Sequence, residues 1–157
     1  MADQRQSAVY LAMLAERSER YNETVEAMKS VALMDLELTE EERRLLSVGY
    51  KMMIGARCST LRFLAAFERK EVSNGNHHNV RQIKDYAAKV EAELTQIRED
   101  LVSTLRDHVI PSATSAHDHV FYHKMIGDAY RFCTEFKTGV DKEDLANHGL
   151  TAYTIGI

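Results

Sequence analysis

The chain has 157 residues, 45% apolar and 28% charged, which is enough for one domain with a real core and excludes wholesale disorder. Twenty basic residues against 24 acidic ones give a net charge of −4, which argues against a general nucleic-acid binder. Seven glycines and one proline are roughly half the usual share of chain breakers, so long helices are favoured over a many-stranded fold.

Apolar periodicity gives about six helices. The first is expected over residues 3–18, with Ala8, Leu11 and Ala15 in one apolar row and Tyr10 and Leu14 in a second. A short second helix, residues 22–33, carries Val25 and Met28. Thr39-Glu40-Glu41-Glu42 reads as a capping box, Thr at the N-cap and Glu at N3, and opens a long third helix to about Val72. Ser73-Asn74-Gly75-Asn76 stops it. The fourth helix has the clearest pattern: Val80, Ile83, Tyr86, Val90, Leu94, Ile97, Leu101, Leu105 and Val109 step by threes and fours without a break. At about 1.5 Å per residue it is near 45 Å long, and Ile110-Pro111-Ser112 should end it, because a residue before proline avoids the α region. A fifth helix, residues 116–137, buries Tyr122, Met125, Ile126, Ala129, Phe132, Cys133 and Phe136. Thr138-Gly139 breaks it and a sixth starts near Asp141. Long helices joined by short loops pack antiparallel, so the fold class is an all-α antiparallel array in a single domain over residues 1–157.

Other signals set the surroundings. No uncharged apolar run reaches the roughly 18 residues of a membrane span, and the opening M-A-D-Q-R-Q is neither a signal core nor a myristoylation site. Cys58 and Cys133 are too few for a disulfide framework. A soluble, reducing, intracellular setting is expected.

Between Arg43 and Phe67 there is no acidic residue but five basic ones: Arg43, Arg44, Lys51, Arg57 and Arg62. Arg44, Lys51, Cys58 and Arg62 fall within about 40° of one another around the helix. A basic stripe is usually a solvated face, but here only Arg44 has a Glu at i±4, Glu40, to compensate it. The fifth helix offers a facing stripe of Lys124, Asp128, Arg131 and Glu135. Two such stripes would line a cationic cleft suited to a phosphate or an acidic peptide. His119 and His123, with His117 before them, have a zinc-compatible spacing, yet no Cys or carboxylate completes a tetrahedral set, so no metal and no cofactor is expected. No G-x-S-x-G, P-loop or dinucleotide fingerprint occurs, which disfavours an enzyme.

Longer motifs carry a resemblance. L-A-E-R-S-E-R-Y (from Leu14), L-T-E-E-E-R-R-L-L-S-V-G-Y-K (from Leu38), I-G-A-R (from Ile54), I-P-S-A (from Ile110), V-F-Y-H-K-M-I-G-D-A-Y-R-F (from Val120) and E-F-K-T-G (from Glu135) resemble the 14-3-3 family. The likeness covers about residues 10–153. It implies nine antiparallel helices in a cup-shaped dimer, and a groove that binds phosphoserine or phosphothreonine peptides of signalling clients. It implies a phosphate pocket of one lysine, two arginines and one tyrosine. Lys51 matches the lysine and Arg131 the second arginine, whereas Cys58 and Phe132 stand at the other two positions, and Lys124 matches a flanking lysine. It also implies a dimer seam with Leu14, Ser18, Arg20 and Glu23 on one side and Leu64, Phe67, Tyr86, Lys89 and Glu93 on the other. Arg20 would meet Glu93, and Glu23 would meet Lys89, in a homodimer or a heterodimer with a related chain. Past Tyr153 the likeness is expected to end, with the last three family helices missing. The implied protein is a cytoplasmic, and also nuclear, non-enzymatic adaptor that touches neither nucleic acid nor membrane directly and has a weakened phosphate grip. The alternative is a truncated fragment that only dimerises.

Overall fold

The computed structural model describes the backbone of residues 2–135 and 139–156 and the side chains of residues 2–135 and 146–155. Every regular element among them is a helix: α1 (Ala2–Arg17), α2 (Tyr21–Ala32), α3 (Glu40–Ser73), α4 (His77–Thr104), α5 (Ala116–Thr134) and α6 (Gly139–Gly156). The expected end of the fifth helix at Lys137, the burial of Phe136 and the break at Thr138 lie outside the described residues. Gly139 is already helical.

Local chemistry sets the helix starts. The Thr39 hydroxyl accepts the Glu42 N–H at 3.2 Å, and the Thr39 N–H donates to the Glu42 carboxylate at 2.7 Å, so the expected capping box is formed. Arg5 then clamps Glu42 through two bonds of 2.8 and 2.6 Å, fastening α1 to the start of α3. Ser115 caps α5 by accepting the Asp118 N–H at 3.0 Å. At the other end of α3, Gly75 adopts φ of +73°, the left-handed geometry that a side chain resists.

The end of α4 differs from the expected mechanism. A π-helical turn, Leu105–Val109, follows Thr104, and one more helical turn, Ile110–Ser112, contains Pro111. Ile110, directly before the proline, stays in the α region at φ −63° and ψ −46°. Its N–H reaches back five residues to the Leu105 carbonyl. Proline removes a donor and crowds the carbonyl four residues before it, and the wider π turn relieves that crowding. The helix stops only at Ala113, which is extended at ψ 137°.

Sequential helices run antiparallel. Tyr50 of α3 donates to Asp100 at 2.7 Å, while Arg57 pairs with Glu93 and Glu68 with Lys84 further along. Lys29 of α2 shares Asp100 at 2.8 Å, so three helices converge on one carboxylate. The core runs through Met28, Val31, Leu45, Leu46, Tyr50, Leu105, Tyr122 and Ile126, all fully buried. α5 and α6 approach closely because two glycines allow it. A Cβ at Gly127 would sit 2.5 Å from the Tyr153 ring, and one at Gly149 would sit 3.1 Å from Tyr130.

Two expected apolar rows remain uncovered. On α1 the buried positions are Ala12 and Ala15, while Tyr10, Leu11 and Leu14 face solvent. On α4 the stripe is buried from Val90 to Val109, but Tyr86 is 54% exposed. α3 continues beside the first half of α4, where Glu68 pairs with Lys84, but leaves Tyr86 open, so the same periodic row changes environment along one helix.

Candidate functional site

α3 and α5 lie side by side in parallel register, bracketed by ion pairs at both ends. Arg43 reaches Asp118 at 3.4 Å, and Arg62 grips Glu135 with bonds of 2.8 and 3.0 Å. Between them opens a cleft of about 270 Å³. Lys51, Lys124 and Arg131 supply its cations, Phe121 and Phe132 its aromatic lining, and Asp128 its carboxylate. The stripes read from the sequence therefore do face each other.

The compensation comes partly from α3 itself and partly from elsewhere in the fold. Arg44 is held by Glu41 at 2.9 Å and by Glu16 of α1 at 3.0 Å. Arg57 lies 3.8 Å from Glu93. The Arg62 guanidinium holds the Glu135 carboxyl below the usual carboxylate range. Lys51, by contrast, is exposed and has no carboxylate partner among the described residues.

Asp128 organises the α5 side. It accepts from Lys124 at 3.1 Å, lies 3.7 Å from Arg131, and receives the Tyr153 hydroxyl of α6. Burial, with the bond to Asp128 behind it, pushes the Tyr153 hydroxyl up to about 12, so it remains a donor at neutral pH. Sequence reasoning missed Tyr153 as a cleft-supporting residue. Its signal was Gly127, which leaves the space the ring fills.

The five cleft residues named from the sequence have unequal fates. Lys51, Lys124, Arg131 and Phe132 all line the cleft. The Arg131 guanidinium stacks over the Phe132 ring, 5.0 Å from its centroid, so the phenyl group fixes the arginine. Cys58 is 2% exposed and belongs to the core, away from the lining. Ile126, at the next groove position, is also fully buried. Of the four gripping positions, Lys51 and Arg131 thus bring a donor to the cleft, Phe132 lines it without one, and Cys58 is buried away from it.

Three of the residues expected at a dimer seam line a second concave surface. Leu64, Phe67 and Tyr86 line a groove of about 540 Å³ between α3 and the first half of α4, together with Phe63 and Ile83. Phe63 is 61% exposed and its ring lies 4.6 Å from that of Phe67. Leu14 is exposed on α1, as are Ser18 in the turn after it and Lys89 on α4. Arg20 pairs with Glu23 within the chain and Glu93 with Arg57, so these charges already have partners.

The histidines stay apart. The His119 Nε2–H is accepted by the Ala113 carbonyl at 3.0 Å, which closes the turn before α5. His123 titrates below its ordinary value because it is desolvated and close to His119 and Arg106. Among the described residues no three metal-ligating groups converge, and no helix is long and apolar enough to cross a membrane.

Comparison with known proteins adds the lineage of this arrangement. The family described as "14-3-3 protein" matches residues 11–157, which runs past Tyr153, where the likeness was expected to stop. The "14-3-3 protein 9" of Solanum lycopersicum is 53% identical over 96% of this chain and 58% of its own length. The "14-3-3-like protein GF14 omicron" of Arabidopsis thaliana is 52% identical over 98% of this chain and 61% of its own. A "14-3-3-like protein" of Nicotiana tabacum is 53% identical over the same shares. The chain spans about 60% of the length of the curated relatives it matches.

Proposed function

The chain belongs to the 14-3-3 family, and on that premise we propose that it is an adaptor: the α3–α5 cleft takes a phosphoserine or phosphothreonine segment of a signalling protein, and the α1–α3–α4 face joins a second 14-3-3-like chain. The observation that carries the reading is Lys51. It is a cation exposed in a cleft without a carboxylate partner among the described residues, opposite Lys124 and Arg131. An unpaired lysine beside an oriented guanidinium favours an incoming anion, because charge-assisted bonds are roughly twice as strong as neutral ones.

The grip is weak on this reading. A phosphate dianion would meet Lys51 directly, while Lys124 and Arg131 must share it with Asp128. Cys58 and Phe132 bring no donor. Dimerisation rests on the exposed aromatics rather than on cross-seam ion pairs, since Arg20, Glu23 and Glu93 are engaged within the chain. A cytosolic setting goes with this reading, and neither cysteine is in a disulfide. The fragment alternative is not favoured, because the cleft keeps four of its five named residues.

Fluorescence anisotropy tests the cleft. A labelled phosphoserine peptide should bind at least tenfold more tightly than its unphosphorylated twin, and binding should weaken with salt. Equal affinity for the two peptides would remove the cleft as a phosphate site.

A further inference from the structure

Neither Cys58 nor Cys133 is in a disulfide, and both are 2% exposed. They lie 75 positions apart, and the register between their helices shows what that means. Arg43 meets Asp118 at a separation of 75, and Arg62 meets Glu135 at a separation of 73. Cys58 lies one turn before Arg62, and Cys133 two residues before Glu135, so the cysteines occupy facing positions of two parallel helices. Helix axes pack about 8–10 Å apart with Cα atoms about 2.3 Å off each axis, which brings directly facing Cα atoms to about 3.5–5.5 Å, overlapping the range a disulfide spans. A charge on Cys133 also raises the Cys58 thiol, so the two sulfurs share one electrostatic neighbourhood.

We infer that Cys58 and Cys133 form an oxidisable pair, which a hydroperoxide converts into a disulfide stapling α3 to α5. This inference does not rest on the phosphopeptide reading. The step balances with hydrogen peroxide. One thiolate sulfur attacks the peroxide, the O–O bond breaks, an S–O bond forms, and hydroxide leaves and takes the thiol proton as water. The second thiol sulfur then displaces the sulfenic oxygen, which departs as a second water as the S–S bond forms. Two thiols lose two protons and two electrons, and one peroxide is reduced to two waters.

The environment makes the pair slow rather than hair-triggered. Burial pushes the Cys58 thiol up to about 11, with Arg62 opposing the shift. At pH 7 the reactive thiolate is then about one part in ten thousand, and its share rises about tenfold per pH unit.

The test is peroxide oxidation of the full chain, with thiols counted by alkylation in denaturant and a non-reducing peptide map. Both thiols should disappear together, one peptide should join Cys58 to Cys133, and dithiothreitol should restore both. The rate should rise about tenfold from pH 7 to pH 8. Cys58→Ala and Cys133→Ala, with far-UV spectra matching the parent, should each lose the intramolecular link. The proposal is overturned if exhaustive oxidation yields only sulfinic acids or links between chains. It is equally overturned if the thiols disappear one at a time with no joined peptide.

Discussion

The α3–α5 cleft and the α3–α4 groove lie along the same long helix but treat their exposed groups in opposite ways. In the cleft most charges are partnered inside the chain: Arg43 by Asp118, Arg62 by Glu135, and Lys124 and Arg131 by Asp128. In the groove the apolar groups have no cover, and Phe63, Phe67 and Tyr86 present their rings to solvent. The contrast shows where this chain holds unused binding free energy. Ion pairs near the surface contribute little and compete with an incoming ligand, whereas uncovered aromatics stabilise any partner that buries them. The α4 stripe makes the same point, since its period continues through half-buried Val80 and Ile83 and leaves Tyr86 exposed.

The sharpest way to break this comparison is at the groove. Phe63→Glu with Phe67→Glu removes two aromatic side chains from each half of a two-fold interface. At about 1.5–3 kcal/mol per buried ring, self-association should weaken by more than about a hundredfold. Sedimentation would show it, and an unchanged profile would place the association elsewhere.

The cleft should respond next. Lys51→Ala deletes an unpartnered cation and should lower phosphopeptide affinity by about 10–100-fold, the equivalent of one charge-assisted bond. Arg62→Ala, which removes a cation already bonded to Glu135, should change it by less than about threefold. Anisotropy titrations of the two variants decide the matter, and equal losses would mean that the internal ion pairs do not set the cleft's strength.

A smaller gain is expected from Phe132→Tyr. The added hydroxyl can donate into the cleft, and one neutral hydrogen bond corresponds to about a 2–10-fold tighter complex. The other vacant position cannot be refilled in the same way. Cys58→Arg introduces a guanidinium at a core position and should lower the thermal midpoint before it helps binding.

The smallest effect is one of pH, at the tie between α1 and α3. Burial raises the Glu42 carboxyl, but Arg5 and the Thr39 amide and hydroxyl outweigh it and hold it below the usual range. A carboxyl depressed in the folded state stabilises the fold above its unfolded value. That contribution fades as pH falls below the ordinary Glu range toward the folded one. Thermal melts between pH 7 and pH 3 should therefore show a loss on the acid side that Glu42→Gln reduces.

The helices were legible in the sequence because their causes are local. Thr39 and Glu42 are three residues apart, Gly75 needs only its own backbone, and the 3.6-residue period needs only its own helix. The facing of Lys51 with Lys124 and Arg131 was legible too, since each stripe lies on one helix and short loops leave few ways to pack them. What tertiary structure alone decided is which groups found partners. Arg44, already held by Glu41 on its own helix, gains Glu16, 28 residues away, and Arg62 is paired by Glu135, 73 residues away. Cys58 is drawn into the core, and Tyr86 is left exposed although α3 runs beside it. Periodicity within a helix fixes which side chains share a face. Whether that face meets a carboxylate, a thiol or water depends on contacts across tens of residues, which no local pattern encodes.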